Sequence, residues 1–346
     1  MKRSAGELKT FAAEVLAKAG LKSEDAAVVA ETLVFADLRG LESHGVSRLP
    51  IYVKRIKKGL VNARATMRMV NEDGAIALLD ADNGPGQVAS VKAMDIAMGL
   101  AQKQGLGACG VRNSTHCGAL AYYTLRAVEH GMIGLAMTNA NSVMAPWGGR
   151  EPVLGTNPIS VAAPVGHGEP YVMDMATSAV ARGKIMIYAK KGARIPLGWG
   201  MNEEGEPTED PNEALKGAMM PMAGPKGYAL SLLVDILSGV LTGSAFGKGI
   251  GALYDDFSKP QRSGHFFLAI DIGHLMPPEL FQPRMDEIVG QIKTSKPARG
   301  VEQVLIPGEP EFAAERKRRR EGIELVPKVR EELLALKEEL GVAAEI

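Results

Sequence analysis

The chain is poor in cysteine and shows no excess of charge of either sign. Its 346 residues hold two cysteines, Cys109 and Cys117, spaced neither as a zinc site nor as a disulfide framework. A disulfide-stapled secreted fold is thereby excluded, and a reducing, cytoplasmic setting is the expectation. Lys and Arg number 40 against 40 Asp and Glu, so the net charge of +0 predicts no general attraction to nucleic acid or to an anionic membrane. Long apolar runs are missing too. The longest, Tyr228 to Val240, contains Asp235 and falls short of the about 20 residues a bilayer crossing needs, so it reads as a buried helix. The first residues, MKRSAGELKTFAAEVLAKAG, form an amphipathic helical pattern interrupted by Glu7, Lys9, Glu14 and Lys18, unlike the apolar region of a signal peptide. Neither an internal repeat nor a low-complexity segment is evident. What remains is an ordinary soluble composition, 46% hydrophobic and 23% charged, in a chain long enough for about two domains.

The stretch DLRGLESHGVSRLPIY, Asp37 to Tyr52, concentrates the chemistry. A helical pattern starts at Ser23, a good N-cap, with Glu24 and Asp25 in its first turn, and ends at Gly40, which suits the left-handed position past a helix end. A second helical run carries Leu49, Val53, Ile56 and Leu60, with Pro50 tolerable only in its first turn. If that helix starts near Val46, His44, Arg48 and Tyr52 fall at i, i+4 and i+8 and share one side. Histidine suits proton transfer to a carbonyl or alcohol oxygen, and arginine offers a planar fork to a carboxylate. The plain alternative is a capped turn with a solvated Arg and a Tyr at the core edge.

Farther on, Met67 to Leu79 reads as two short strands around a turn at Asn71 to Gly74, and Gln87 to Gln104 as a helix. Gly105 to Gly110 then matches GxGxxG, but a helix precedes it and a strand, Cys109 to Arg112, follows. A dinucleotide fingerprint needs the opposite order. Asn113 to Gly118, holding His116, ends that strand and opens a helix over Ala119 to His130. Met132 to Asn139 is a strand delivering Asn139 and Asn141 into a loop; the tight turn Gly155 to Pro158 precedes the strand Ile159 to Ala163. After a strand at Tyr171 to Met173, the turn Asp174-Met175-Ala176-Thr177-Ser178 is predicted to start a helix ending near Gly183. Free amides there would suit a phosphate or ribose, with simple Asp or Thr capping as the alternative. Gly192 to Met222 is a Gly/Pro-rich excursion, and Lys226 beside Gly227 at the next helix start could set a point charge on a phosphate or be merely solvated. Ser263 to Asp271 and Val301 to Ile306 read as strands. The tail from Phe312 is a charged helix whose run Arg316 to Arg320 is balanced by Glu315, Glu321 and Glu324.

Helices at both ends around an α/β middle suggest a helical domain built from residues 1–66 and 308–346, enclosing a central α/β region over 67–307. An alternative activity is open at this point, a metal-dependent hydrolase or lyase using His44, His116 and Asp174, although no HExxH spacing or cysteine pair supports it.

Taken together, DLRGLESHGVSRL, NSTHCG, GTNPIS, DMATS, GPKGYALSLLVDILSGVLTG and IPGEPE span nearly the whole chain. In this order they resemble the malate/L-lactate dehydrogenase family of the second type, a group that includes ureidoglycolate and sulfolactate dehydrogenases. The resemblance implies an α/β fold with a non-Rossmann NAD(P)-binding arrangement, and hydride transfer between NAD or NADP and a small 2-hydroxy or 2-oxo acid. By the matching motifs, His44 is the first acid/base candidate and His116 the second, with Ser43 and Tyr52 beside them and Arg48 on the substrate carboxylate. Asp174, Met175, Ala176 and Thr177 would lie against the cofactor, with Lys226 and Gly227 near its phosphates. Gly308 and Glu309 would close over it, and Asn139 and Asn141 would border it. No resident metal is implied, and a homodimer is expected. Two positions depart from the pattern: Cys117 stands where many relatives carry Phe, and Ala229 where many carry Gly.

Overall fold

A capping box opens the chain: Ser4 Oγ accepts from the Glu7 N–H while the Glu7 carboxylate accepts from the Ser4 N–H, starting α1 (Ala5–Lys18). The computed structural model describes residues 2–346. α2 (Ser23–Leu38) follows, but the predicted Ser23 cap is corrected. Lys22 occupies the cap in an extended conformation without a side-chain bond, and Ser23 is the first helical residue. Gly40 takes φ +81° as expected. The second helix begins later than predicted. Glu42–His44 and Val46–Arg48 are separate 3-10 turns, and α3 (Leu49–Lys57) carries Pro50 in its first turn.

These helices bury Leu8, Phe11, Leu16, Leu33 and Leu49 against Ile323, Leu333 and Leu336 of the tail. Each such side chain contributes about 1.5–3 kcal/mol of hydrophobic stabilisation. The tail comprises α10 (Glu309–Glu321), β11 (Ile323–Glu324) and α11 (Pro327–Leu340), and β11 pairs with β1 (Lys2–Arg3). The basic run of α10 is ion-paired, Arg319 to Glu315 and Arg320 to Glu321 among others.

The centre is a seven-stranded mixed sheet in the order β2-β3-β4-β10-β5-β6-β7. Its strands are β2 (Arg68–Asp73), β3 (Ile76–Asp80), β4 (Leu106–Ser114), β5 (Met132–Thr138), β6 (Ile159–Ala163), β7 (Tyr171–Met175) and β10 (Ser263–Asp271). Only β3 and β4 pair in parallel, joined through α4 (Gly86–Gln104), as a parallel crossover requires. The GxGxxG stretch lies in this unit with the predicted order of helix first, strand second. Gly105 ends α4 at φ +83°, and a Cβ on Gly107 would come within 2.1 Å of Ala97 O. Both glycines thus serve a helix lying close on a strand.

Several local expectations are overturned. The β2–β3 turn falls after Asp73 rather than over Asn71 to Gly74, because Asn71 and Glu72 are already paired with β3. Asp174 and Met175 belong to β7, and no helix starts at their turn; α6 (Arg182–Lys191) begins only after Ala181. Val301 to Ile306 is irregular rather than a strand. The Gly192 to Met222 excursion is partly ordered, with α7 (Pro211–Lys216) between the paired strands β8 (Gly200–Met201) and β9 (Ala218–Met219). Helix α8 (Pro225–Asp235), continued by a π-turn to Val240, buries only part of its apolar run. Leu233 is 42% and Val240 53% exposed, because only one face of the helix packs on the sheet. α5 (Ala121–Glu129) and α9 (Pro278–Lys293) complete the fold, and no described helix is long and apolar enough to cross a membrane.

Candidate active site

The turn that carries His44 is fixed from beneath. Asp37, buried at the end of α2, accepts a hydrogen bond from the Val46 N–H at 2.8 Å, and a Cβ on Gly45 would lie only 1.8 Å from Asp37 Oδ1. Burial pushes this carboxyl up to about 7, because little water is left to solvate its charge. From the tail, Arg318 donates to Asp37 O and pairs with Glu42, so α10 grips the same turn. Ser43 Oγ lies 2.9 Å from His44 Nδ1. One turn on, Arg48 donates through Nε to Ser43 O and through Nη1 to Tyr254 Oη, its guanidinium 5.1 Å from the Tyr254 ring centre. Among the described residues nothing bonds Arg48 Nη2, so part of the fork is left for a ligand.

His116 arrives from the other side, on the loop between β4 and α5. Its Nδ1 lies 2.7 Å from Tyr52 Oη and accepts from the Gly118 N–H at 3.3 Å. Gln87 Nε2 in turn donates to Tyr52 Oη at 3.0 Å, and the His116 N–H donates to Gln261 Oε1. The two imidazoles stack with centres 5.6 Å apart and planes 27° apart. Burial first, and the Arg48 charge second, hold His44 down at about 4 and His116 well below the usual histidine range. Both rings are therefore neutral at physiological pH. Tyr52, desolvated beside His116 and Gln87, stays a phenol, its pKa raised chiefly by burial.

The strap Ile250 to Arg262, which supplies Tyr254 and Gln261, has no regular structure of its own. Arg55 holds it. Buried on α3, its guanidinium donates to Ala252 O, Leu253 O, Asp256 O and Lys259 O. One side chain on the helix of Tyr52 thus fixes the segment that touches Arg48 and His116.

The predicted cofactor residues are brought together only in part. Met222 N–H donates to Thr177 O and Ala179 N–H to Met220 O, which sets the Ala176–Thr177 turn beside the segment leading to Lys226 and Gly227. Gly308 packs on Val172 of β7, where a Cβ would meet Val172 at 3.0 Å. Other members are committed elsewhere. Asp174 turns its carboxylate to the N-terminus of α5, accepting from Ala121 N–H at 2.8 Å, and burial raises it to about 6. Met175 pairs with Ile159 inside the sheet. Asn139 is consumed by Asp235, Ala245 O and Gly264 N–H, a structural node between α8 and β10. Glu309 pairs with Lys293 at 2.8 Å. Asn141 is half-buried with no bond to any described residue.

A family model described as malate/L-lactate dehydrogenase matches residues 4–334. The chain belongs to the malate/L-lactate dehydrogenase family. It is 44% identical over 344 residues to the malate dehydrogenase of Pyrococcus abyssi, covering 97% of this chain and 94% of that one. It is 37% identical over 335 residues to the ureidoglycolate dehydrogenase (NAD(+)) of Escherichia coli K12, covering 97% and 95%. The solved sulfolactate dehydrogenase of Methanocaldococcus jannaschii superposes with a TM-score of 0.93 at 38% identity, covering 99% of this chain and 98% of the other.

For this family member, sequence reasoning missed Gln87, Tyr254, Gln261 and Arg55. Gln87 opens an unremarkable helix and the strap has no periodicity, so only the fold reveals that they meet the histidines. The hydrolase alternative finds no support. Among the described residues no three His, Cys, Asp or Glu side chains converge, and Asp174 faces α5.

Proposed function

We propose that this chain catalyses NAD(P)-dependent hydride transfer between a small 2-hydroxy acid and its 2-oxo form, of the malate or lactate type. The observation that carries the reading is the meeting of the stacked His44 and His116 rings with a half-committed Arg48 guanidinium. Arg48 orients the substrate carboxylate, while the imidazoles serve the oxygen at C2. The chain also offers what a dinucleotide needs. The N-terminus of α8 has no side-chain cap, Lys226 is exposed and bonds no other described residue, and a Cβ on Gly227 would come within 2.3 Å of Met222 O. An exposed cation beside a closely packed backbone turn fits a pyrophosphate, although Pro225 has no N–H and the Gly227 N–H is taken by Met222 O. When bound there, the nicotinamide supplies the hydride acceptor or donor. His44 exchanges a proton with the substrate oxygen, Arg48 fixes the acid, and the strap at Tyr254 screens the pocket from water. A screen of NADH and NADPH absorbance against pyruvate, oxaloacetate, sulfopyruvate and 2-oxoglutarate tests the reading. Turnover with at least one is expected, and silence with all of them alongside intact folding would overturn it.

The same reading takes residues 1–66 and 308–346 as one helical unit around a central region of 67–307. The shared apolar core and the β1–β11 pair support it. A homodimer goes with it, supported by the exposed apolar face of α8, which a second copy would cover; light scattering at working concentration tests this. A cytoplasmic setting accords with the free, buried thiols of Cys109 and Cys117, each pushed up to about 12 by burial.

A further inference from the structure

The two histidines differ in the kind of group that faces Nδ1. At His44 the neighbour is the Ser43 hydroxyl, a rotor that can donate to a bare nitrogen or accept from a protonated one. At His116 one neighbour is the Gly118 N–H, which can only donate. Its Nδ1 must therefore be a lone pair, and the proton of the neutral ring must sit on Nε2. The rest of the chain of bonds agrees. Tyr52 Oη, 2.7 Å away, gives its proton to Nδ1, and its own lone pair is met by the Gln87 amide at 3.0 Å. Protonating Nδ1 would set two donors against one another at Gly118 and force Tyr52 to turn its hydroxyl into the Gln87 N–H. Among the described residues nothing bonds His116 Nε2.

We propose that His116 works as a permanently neutral hydrogen-bond donor to the substrate oxygen, locked in the Nε2–H tautomer by Gly118, Tyr52 and Gln87, and that His44 alone carries the proton. Tyr52 and Gln87 are positioning residues in this scheme, acting through His116. The assignment rests on the dehydrogenase reading and divides its labour. In the oxidative direction the 2-hydroxyl O–H bond breaks and its proton passes to His44 Nε2. Bound NAD(P)+ would supply the two-electron acceptor for the C2–H hydride, which leaves C2–O as a carbonyl. As the imidazolium forms, His44 Nδ1–H is received by Ser43 Oγ. His116 keeps its Nε2 proton from start to finish and stabilises the oxygen as its charge develops, a contribution available because the donor is fixed before the reaction. A donor that never ionises does not compete with His44 for the proton. A like division, with a neutral imidazole polarising a carbonyl beside a separate base, is chemically precedented in proton-transfer enzymes.

The test is nitrogen NMR on histidine-labelled enzyme without ligands. The chain holds six histidines, and the His116 signal is the one lost in His116→Gln and displaced in Tyr52→Phe. The expected result is an Nε2–H tautomer that does not titrate from alkaline to mildly acidic pH. An Nδ1–H tautomer, or an imidazolium appearing near neutrality, overturns the proposal. Because the spectrum needs no turnover, its outcome stands apart from that of the substrate screen: a failed screen with a locked tautomer would sink the dehydrogenase reading alone. Gln87→Glu sharpens the point. A carboxylate only accepts, so it takes the Tyr52 proton and presents the phenol oxygen to Nδ1 as an acceptor. Only the Gly118 N–H then opposes a proton on Nδ1, so the lock weakens, kcat falls by about 10- to 100-fold as for loss of an outer partner of a functional histidine, and a new ionisation enters the pH profile. An unchanged pH profile and tautomer in a folded Gln87→Glu enzyme would show that the chain through Tyr52 does not set the ring.

Discussion

His44 and His116 stack against one another, yet the regions that hold them are built on opposite plans. His44 sits on a single 3-10 turn, supported from below by the Asp37 carboxylate and flanked by an exposed serine hydroxyl. His116 sits at a strand-to-helix junction, with a backbone N–H and a phenol on Nδ1 and its own amide held by Gln261. The lesson is that two chemically identical rings acquire different work from their partners. A rotor lets an imidazole change its charge, and a fixed donor forbids it.

The largest expected effect comes from removing the ring that moves the proton. His44→Ala should lower kcat by about 10²–10⁴-fold, the range of a positioned acid/base, while NADH binding followed by fluorescence is nearly intact. Loss of the fixed donor in His116→Ala should remove about 10²–10³-fold, the range of one preorganised donor to a developing oxyanion, without shifting the pH profile. If both variants displaced the profile alike, the contrast between the two regions would collapse. A smaller effect belongs to Arg48→Lys, which keeps the charge but not the fork. Losing one charge-assisted bond of about 1.5–3 kcal/mol should cut kcat/KM about 10- to 100-fold for carboxylate substrates. Tyr254→Phe retains the ring over Arg48 and removes one neutral hydroxyl, so KM should rise only by the factor of roughly 2–10 that a bond of about 0.5–1.5 kcal/mol carries.

pH sharpens the comparison last. His44, held down at about 4, is a free base at neutrality, so kcat/KM for hydroxy-acid oxidation should stay flat across neutral pH and fall as pH drops through about 4. Stability carries the same sign. Between 6.5 and about 4 the unfolded chain binds a proton at His44 that the folded chain refuses, so the thermal midpoint should decline as pH falls through that window. Asp37 opposes it. Its folded value near 7 lies above the unfolded 3.8, so its contribution is full below 3.8 and lost as pH rises toward 7. Asp37→Asn should remove that loss, and melting curves across the range read both trends.

Much of the molecule was legible beforehand, and the misses share a cause. The α4–β4 unit was readable because Gly105 and Gly107 punctuate a strong helical period, and the order of helix and strand alone ruled out a dinucleotide fingerprint. The DMATS turn misled because Asp174 and Thr177 look like helix caps. Asp174 does serve a helix, but it is α5, some fifty residues back in the chain. The α8 run was read as buried from its apolar composition, yet composition cannot say how many faces find a partner. Asn139, read as bordering the cofactor, is committed to a structural node instead. Arg48 still lies with His44 although the helix predicted to align them is replaced by 3-10 turns, because Asp37, Gly45 and the strap fix that turn by other means.

By itself, the sequence determined which residues could do chemistry here, the family pattern they form, and the order of helices and strands, since these follow from side-chain types and local period. Only the tertiary structure decided what each polar atom meets. A backbone N–H from Gly118, an amide from Gln87 and a strap held by Arg55 come from distant points of the chain, and the proton on an imidazole goes where such neighbours leave room for it.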